Sequence, residues 1–233
     1  MKIDVFQTQD KGTPADNIEN ARQAICHSQA DFFILPEFFS IPTGDFRKDY
    51  SLEECYLQTS VPAQAMLRQA SRIFGGYLIG GSVLEKADNV YYNTCYVYQN
   101  GQTVASYRKI NITQEEIDLG ITPGTETVIF ETPFGRAGLI ICADVINRET
   151  VTKVASKCDI IFLPVSGTNP DHPPVKGHPL SVKIADLFKI TVVKVARINV
   201  FGGKPLFSSS AVVMPGRVVW EAGEKEELAT VII

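Results

Sequence analysis

The chain has 233 residues, 45% of them hydrophobic and 21% charged, and a formal net charge of −4. That is the mix of a soluble globular protein with ample apolar material for a core. The 22 Lys and Arg are scattered with no basic run, and no apolar stretch approaches a membrane span, which speaks against nucleic-acid and membrane partners.

The chain opens directly on Met1-Lys-Ile-Asp-Val-Phe-Gln7 with no long apolar h-region, so no signal peptide and a cytoplasmic location are expected. The five cysteines, Cys26, Cys55, Cys95, Cys142 and Cys158, are odd in number and never at CxxC spacing. Free thiols in a reducing cytosol are the simplest reading. The three histidines, His27, His172 and His178, form no metal-binding pattern.

Lys2–Thr8 alternates apolar and polar residues and reads as a strand. Gly12–Asp16 turns into a helix to about Ser28, with Thr13 or Asp16 as its cap. Asp31–Leu35 is a compact apolar strand that stops at Pro36-Glu37, and Phe38–Asp49 reads as a loop. Ser51–Glu54 resembles a capping box opening a short helix. Ser60 and Pro62 open a longer one to Phe74, ended by Gly75-Gly76.

Tyr77–Leu84 and Tyr91–Tyr98 are strands, and Asn100-Gly101 signals a hairpin back through Thr103–Arg108. Lys109–Gly124 reads as irregular. Thr127–Phe130 and Arg136–Ile141 flank the Pro133-Phe-Gly135 turn. A helix over Arg148–Ser156, a buried strand over Asp159–Leu163 and a proline-rich loop over Ser166–Gly177 follow. Leu180–Ile190 reads as a helix with Val182, Ala185, Leu187 and Phe188 as core positions, and Thr191–Ala196 as a strand. Gly202-Gly203 marks a turn before closing strands at Ser210–Met214, Val218–Glu221 and Leu228–Ile233. With no repeat or linker-like shift, residues 1–233 are expected to form one domain, an α/β or α+β fold with helices outside its sheets.

Three polar groups close apolar strands: Glu37 after Phe-Phe-Ile-Leu-Pro, Lys109 after Tyr107-Arg108, and Cys142 after Gly-Leu-Ile-Ile. Each alone reads as an ordinary strand end, and Cys142 alone as a core thiol. Together they are a chemically complete set. A thiol nucleophile needs a base, a partly buried carboxylate can be one, and a lysine with a backbone N–H can hold an oxyanion.

Phe33-Ile-Leu-Pro-Glu37, Gly80-Gly-Ser82, Tyr92-Asn93, the run from Asn100-Gly101 to Tyr107-Arg-Lys-Ile110, and Thr122-Pro-Gly124 occur in that order. Gly138-Leu-Ile-Ile-Cys142-Ala-Asp144 with Glu149, Ala196-Arg-Ile-Asn199 and Ser208–Pro215 follow. In this order and spacing the chain resembles the nitrilase superfamily, the carbon–nitrogen hydrolases. The resemblance implies a four-layer αββα sandwich and a Glu-Lys-Cys triad that hydrolyses a small linear amide through a thioester, with no metal or organic cofactor. It makes Glu37 the general base and Cys142 the nucleophile, with Lys109 and the Ala143 N–H on the oxyanion. A second glutamate is expected at Glu116, with Glu115 its alternative. Phe38 and the loop to Tyr50 are expected to line the pocket, and the family's habit of pairing implies a homodimer or higher homo-oligomer.

The departures are Ala143 for a frequent aromatic, Ile146-Asn147-Arg148 for an Arg-Phe-Pro portion, and Val182-Lys-Ile-Ala185 for an Arg-Ala segment. They leave open a nitrile or N-carbamoyl substrate, or a metabolite- or partner-binding protein with weak or lost turnover. A papain-like Cys-His enzyme would need a histidine beside Cys142. Asp144 reads as structural, Arg197 and Asn199 as loop-fixing residues, and His172 as part of a surface loop.

Overall fold

The computed structural model of the chain describes residues 1–42, 50–167, 178–198, 200–201, 204–206 and 208–233. Most of the Phe38–Asp49 loop, His172, Asn199 and the Gly202-Gly203 turn lie outside the described residues.

Strand β1 (Lys2–Gln9) is buried along six consecutive residues, although its sequence alternates. The polar members are satisfied inside: Asp4 accepts from Ser28 and Thr230, and the Gln7 amide donates to the carbonyls of Gly223 and Lys225. Alternation therefore marks a central strand here, not a half-exposed one. Helix α1 (Pro14–His27) starts at Thr13, whose hydroxyl accepts the Asp16 N–H, so Thr13 and not Asp16 is the cap. Strand β2 (Phe32–Ile34) follows, entirely buried.

The two helices expected around Ser51 and Ser60 are continuous. Helix α2 (Leu52–Cys55) has its capping box and passes through a π-helical turn (Tyr56–Ser60) into α3 (Val61–Phe74). Ser60 keeps helical backbone angles and caps nothing, and its hydroxyl instead accepts the Leu84 N–H at 3.1 Å. The strand expected over Tyr77–Leu84 splits into β3 (Tyr77–Ile79) and β4 (Val83–Ala87). Gly81 breaks it with φ +63, and a Cβ there would sit 2.1 Å from the Pro36 carbonyl oxygen. The break packs the β3–β4 corner against the segment that ends in Glu37.

Strands β5 (Val90–Gln99) and β6 (Gln102–Arg108) form the expected hairpin, with Asn100 and Gly101 both at positive φ. The segment expected to be irregular after Lys109 contains a short helix, α4 (Gln114–Asp118), with a capping box between Thr113 and Glu116. Next come β7 (Val128–Thr132), β8 (Gly135–Leu139), a 3₁₀ turn (Cys142–Ile146), α5 (Arg148–Ala155), β9 (Ile160–Val165), α6 (Pro179–Phe188) and β10 (Thr191–Ile198). In α6 the buried residues are Ser181, Ile184 and Ala185, whereas Leu187 is 65% exposed. The helix phase fixed by the 181/184/185 face turns position 187 outward. The short pair β11 (Val200–Phe201) and β12 (Lys204–Pro205) precedes β13 (Ala211–Met214), β14 (Arg217–Glu221) and β15 (Glu227–Ile232).

One sheet runs β6-β5-β3-β2-β1-β15, with β4 also on β5; the other runs β7-β8-β9-β10-β13-β14. The two meet where the ends of β1 and β10 pair, Thr8 with Arg197 and Gln9 with Ile198. Between them lies a core of Ile3, Val5, Phe32, Ile34 and Val97 from the first and Leu139, Phe162, Val193 and Val195 from the second. Helices α1 and α3 cover the outer face of the first through Ile25, Leu67 and Phe33. Helices α5 and α6 cover the second through Val154, Ile184 and Leu163. The layers are therefore α, β, β, α, as expected. Helices cover the outer faces and the shared core the inner ones, which is why strands such as β9 and β10 are buried along their whole length. Among the described residues no helix is long and apolar enough to cross a membrane.

The corner at Gly81 gives a direct test. Gly81→Ala adds a clash with backbone to the strain of a positive φ, so it is expected to cost more than 2 kcal/mol, on the order of the upper end of such strains. Gly216→Ala, at φ +81 with open space around it, is expected to cost about 1 kcal/mol. Urea denaturation of both variants measures the difference.

Candidate active site

Glu37 sits just beyond β2, where Pro36 ends the strand. The next residue, Phe38, has φ 51 and donates its N–H to the Ser82 carbonyl. Its own carbonyl accepts from Arg197 Nη1 at 2.5 Å, so a buried arginine of β10 fixes this corner. The Phe38 ring packs with Ile41, Cys55, Leu84 and Ile121. Lys109 follows β6, its N–H bonded to the Asn93 carbonyl and its carbonyl to the Gly124 N–H.

Glu37 and Lys109 are each only 2% exposed, and Lys109 Nζ donates to Glu37 Oε1 at 2.9 Å and to Glu116 Oε2 at 2.8 Å. Glu116, from α4, also accepts the Thr113 N–H at 2.8 Å. The short helix is thus what aims it inward, and Glu116, not Glu115, reaches Lys109. Asn93, fully buried on β5, donates through Nδ2 to Glu37 Oε1 at 2.9 Å and to Glu116 Oε1 at 2.7 Å. Asn93 belongs to the motif Tyr92-Asn93, yet nothing in the sequence assigned it a contact. A carboxamide inside a buried strand was the available signal.

Burial by itself would push the Lys109 ammonium towards its neutral form. The carboxylates of Glu37 and Glu116, and then Cys142, outweigh it and hold Lys109 well above its ordinary value. For Glu116, burial acts to raise the carboxyl, but the Lys109 charge and hydrogen bonds from Lys109, Thr113 and Asn93 overcome it and keep it below the usual range. One cation thus sits among two carboxylates.

Cys142 follows the last apolar residues of β8 at φ 43, a left-handed conformation that a non-glycine residue adopts only when its surroundings impose it. Asp144 imposes it. Its fully buried carboxylate accepts the Ile141 N–H at 2.9 Å, the Tyr107 hydroxyl at 2.7 Å, and the backbone and side-chain N–H of Asn111 at 2.8 and 2.9 Å. Asn111 donates on to Thr150 of α5 at 2.8 Å. The thiol is pushed well above its ordinary pKa, first by burial and then by the Glu37 carboxylate; Lys109 and a Ser166 backbone hydrogen bond offset only part of this. Cys142 and Ala143 begin a 3₁₀ turn, where N–H groups have no acceptor within the turn.

A protonated thiol, a carboxylate beside it, a fixed cation and free backbone N–H groups can together move a proton and hold a developing negative charge. Ile146 is half exposed, on the surface side of the turn. Cys55, Cys95 and Cys158 are buried, with their thiols raised by burial, and lie in the apolar clusters. Among the described residues no set of three or more His, Cys, Asp and Glu side chains is placed to hold a metal ion.

The sequence matches the family model for carbon-nitrogen hydrolases over residues 7–233. It is 28% identical to the omega-amidase NIT2 of Danio rerio over 180 residues, covering 70% of this chain and 62% of that protein. It is 28% identical to the omega-amidase NIT3 of Saccharomyces cerevisiae over 252 residues, covering 98% of this chain and 86% of that one. The chain spans 53% of the hydrolase C26A3.11 of Schizosaccharomyces pombe, at 27% identity. The Danio rerio and Schizosaccharomyces pombe relatives are thus matched over less than two thirds of their length. Among solved structures, the amidase from Nesterenkonia sp. AN1 superposes with a TM-score of 0.86 at 22% identity, covering 100% of this chain and 93% of that one. That structure carries acrylamide added at its active-site cysteine. With the match running from residue 7 to residue 233 and the four-layer fold shared, this chain belongs to the carbon–nitrogen hydrolases, the nitrilase superfamily.

Proposed function

We propose that the chain is a cysteine-dependent hydrolase that cleaves the C–N bond of a small linear amide and releases ammonia or an amine. The observation that carries this reading is the buried Lys109 shared by Glu37 and Glu116 beside a cysteine held at positive φ.

Because the resting thiol is held protonated, its proton leaves as the attack occurs. Glu37 accepts that proton while Cys142 Sγ bonds to the amide carbon. The carbonyl electrons move onto oxygen, where Lys109 Nζ and the Ala143 N–H hold the negative charge. Glu37 then returns the proton to the departing nitrogen, leaving an acyl thioester on Cys142. Water, deprotonated by Glu37, attacks the thioester. The acid leaves and the thiol regains its proton. Glu116 and Asn93 keep Lys109 and Glu37 in register, and Asp144 is a positioning residue for the Cys142 turn.

Phe38 contributes to the pocket wall through the corner it makes after Glu37. In this reading residues 1–233 work as one domain in the cytoplasm. Pairing into a homodimer would cover Ile146 and Leu187, exposed on neighbouring elements of the second sheet's helical layer.

An ammonia-release screen over small amides, nitriles and carbamoyl compounds tests the reading. Cys142→Ala is expected to lower amide turnover by at least about 1,000-fold; turnover that survives it would sink the proposal. Iodoacetamide on the native protein is expected to label Cys142 ahead of Cys55, Cys95 and Cys158. Glu37→Gln should slow that labelling at least about 10-fold, as loss of a general base does at the low end, and peptide mapping reads the site. Asp144→Asn keeps the size but loses acceptor capacity for the Ile141 N–H and Tyr107 hydroxyl. It is expected to cut kcat about 100-fold with a smaller change in KM, and equal losses in stability and KM alone would argue against a positioning role.

A further inference from the structure

Ser166 directly follows β9 and stands beside the nucleophile. Strands β8 and β9 are parallel, with Leu139 paired to Phe162. Cys142 comes three residues after Leu139 and Ser166 four after Phe162, so both lie just beyond the same edge of the second sheet. Strand β9 touches the 3₁₀ turn that begins at Cys142. The Ser166 backbone makes a hydrogen bond to the Cys142 sulfur that favours the thiolate, so its N–H is the donor.

The Ser166 side chain is less well served. The residue is 7% exposed, and its hydroxyl has no hydrogen-bond partner. A buried hydroxyl left unpaired costs stability, and such a group in a native fold calls for a reason. Covalent geometry keeps Oγ within about 4 Å of its own nitrogen, and that nitrogen is hydrogen-bonded to Cys142 Sγ. The free hydroxyl is therefore within reach of any group bonded to the sulfur. Asn93 Oδ1 is also unpaired, but that carboxamide turns its Nδ2 edge to Glu37 and Glu116.

The chemistry at Cys142 leaves one place for this acceptor. On the tetrahedral carbon, the oxygen points to Lys109 Nζ and the Ala143 N–H. The nitrogen must face Glu37, which returns its proton. Glu37 Oε1 already accepts from Lys109 and Asn93, so Oε2 is the oxygen left for that transfer. A primary amide nitrogen carries two N–H bonds. Glu37, from the first sheet, takes one side of it. The second N–H needs an acceptor from the opposite side, where the second sheet brings Ser166.

We infer that Ser166 Oγ accepts the second N–H of the scissile amide, opposite Glu37, and is a catalytic residue that selects a nitrogen leaving group over an alkoxide. As the C–N bond breaks, its electron pair goes to nitrogen, Glu37 supplies the proton, and ammonia leaves the thioester on Cys142. Water then enters the vacated position, gives one proton to Glu37 and donates its other O–H to Ser166 Oγ. A site built to pair an N–H discriminates against an analogue that lacks it. This rests on the amide-hydrolase reading above.

Butyramide and methyl butyrate deliver the same acyl group, but only the amide has an N–H on its leaving atom. Their kcat/KM values report the steps through acylation, so thioester hydrolysis does not enter the comparison. Ser166→Ala removes an oxygen that the resting protein leaves unpaired and keeps the backbone N–H on Sγ. It is expected to lower kcat/KM for butyramide at least about 10-fold, as loss of one hydrogen bond to a buried group does. The butyramide-to-methyl butyrate ratio should fall by at least the same factor, while iodoacetamide still labels Cys142 at the wild-type rate. An unchanged ratio, or a fall in Cys142 labelling that matches the fall in butyramide turnover, overturns the proposal. Wild-type ammonia release separates the two readings. If it occurs and the ratio does not move in Ser166→Ala, the Ser166 assignment alone falls; if no amide releases ammonia, the amide reading fails and takes this assignment with it.

Discussion

The site depends on one buried ammonium. Lys109 is 2% exposed and would be unaffordable there without partners. Glu37 and Glu116 supply them at 2.9 and 2.8 Å, and Asn93 bridges the two carboxylates. These groups come from the end of β2, the end of β6, a five-residue helix and the middle of β5. Each of those segments must therefore stop where it does. Pro36 and the Gly81 corner fix the first, and the backbone bonds of Lys109 to Asn93 and Gly124 fix the second. The Thr113–Glu116 capping box fixes the third. Two carboxylates on one cation leave a negative excess beside the thiol. Burial first, and then the Glu37 carboxylate, keep the thiol protonated, and that carboxylate gives its proton somewhere to go.

The sandwich brings the other half. Cys142 belongs to the second sheet, while Glu37 and Lys109 belong to the first. Facing sheets with a shared apolar core place the two strand ends together without a direct covalent or backbone link. Asp144 crosses the same divide, because Tyr107 of β6 donates to it at 2.7 Å. A buried carboxylate held by four neutral donors sets the direction of the Cys142 turn without a second cation beside the nucleophile.

Much of this was legible in the residues. Apolar runs closed by Glu37, Lys109 and Cys142 marked strand ends, and the ordered motifs carried the four layers. What escaped notice depends on tertiary context. Alternation in Lys2–Thr8 could not say that both faces of β1 are buried. A capping box at Thr113–Glu116 was hidden in a polar stretch because five residues make too little periodicity to register. Ser60 resembles a helix cap, and only the continuous backbone through the π-helical turn shows that its hydroxyl serves Leu84 instead. Leu187 is apolar at nearly helical spacing, yet the face set by Ser181, Ile184 and Ala185 leaves it outside. Asn93 is a polar residue inside a largely buried strand, and its partners Glu37 and Glu116 lie far away in sequence.

The central claim is that this buried cluster makes Cys142 a covalent nucleophile. Rapid-quench intact-mass measurement during turnover of a small amide, followed by peptide mapping, tests it most directly. The account predicts a transient mass increase equal to the substrate's acyl group, located on Cys142, that accumulates when ammonia is released faster than the acid. Ammonia release at full rate with Cys142 unmodified at every quench time, or with the acyl group on another residue, would contradict it.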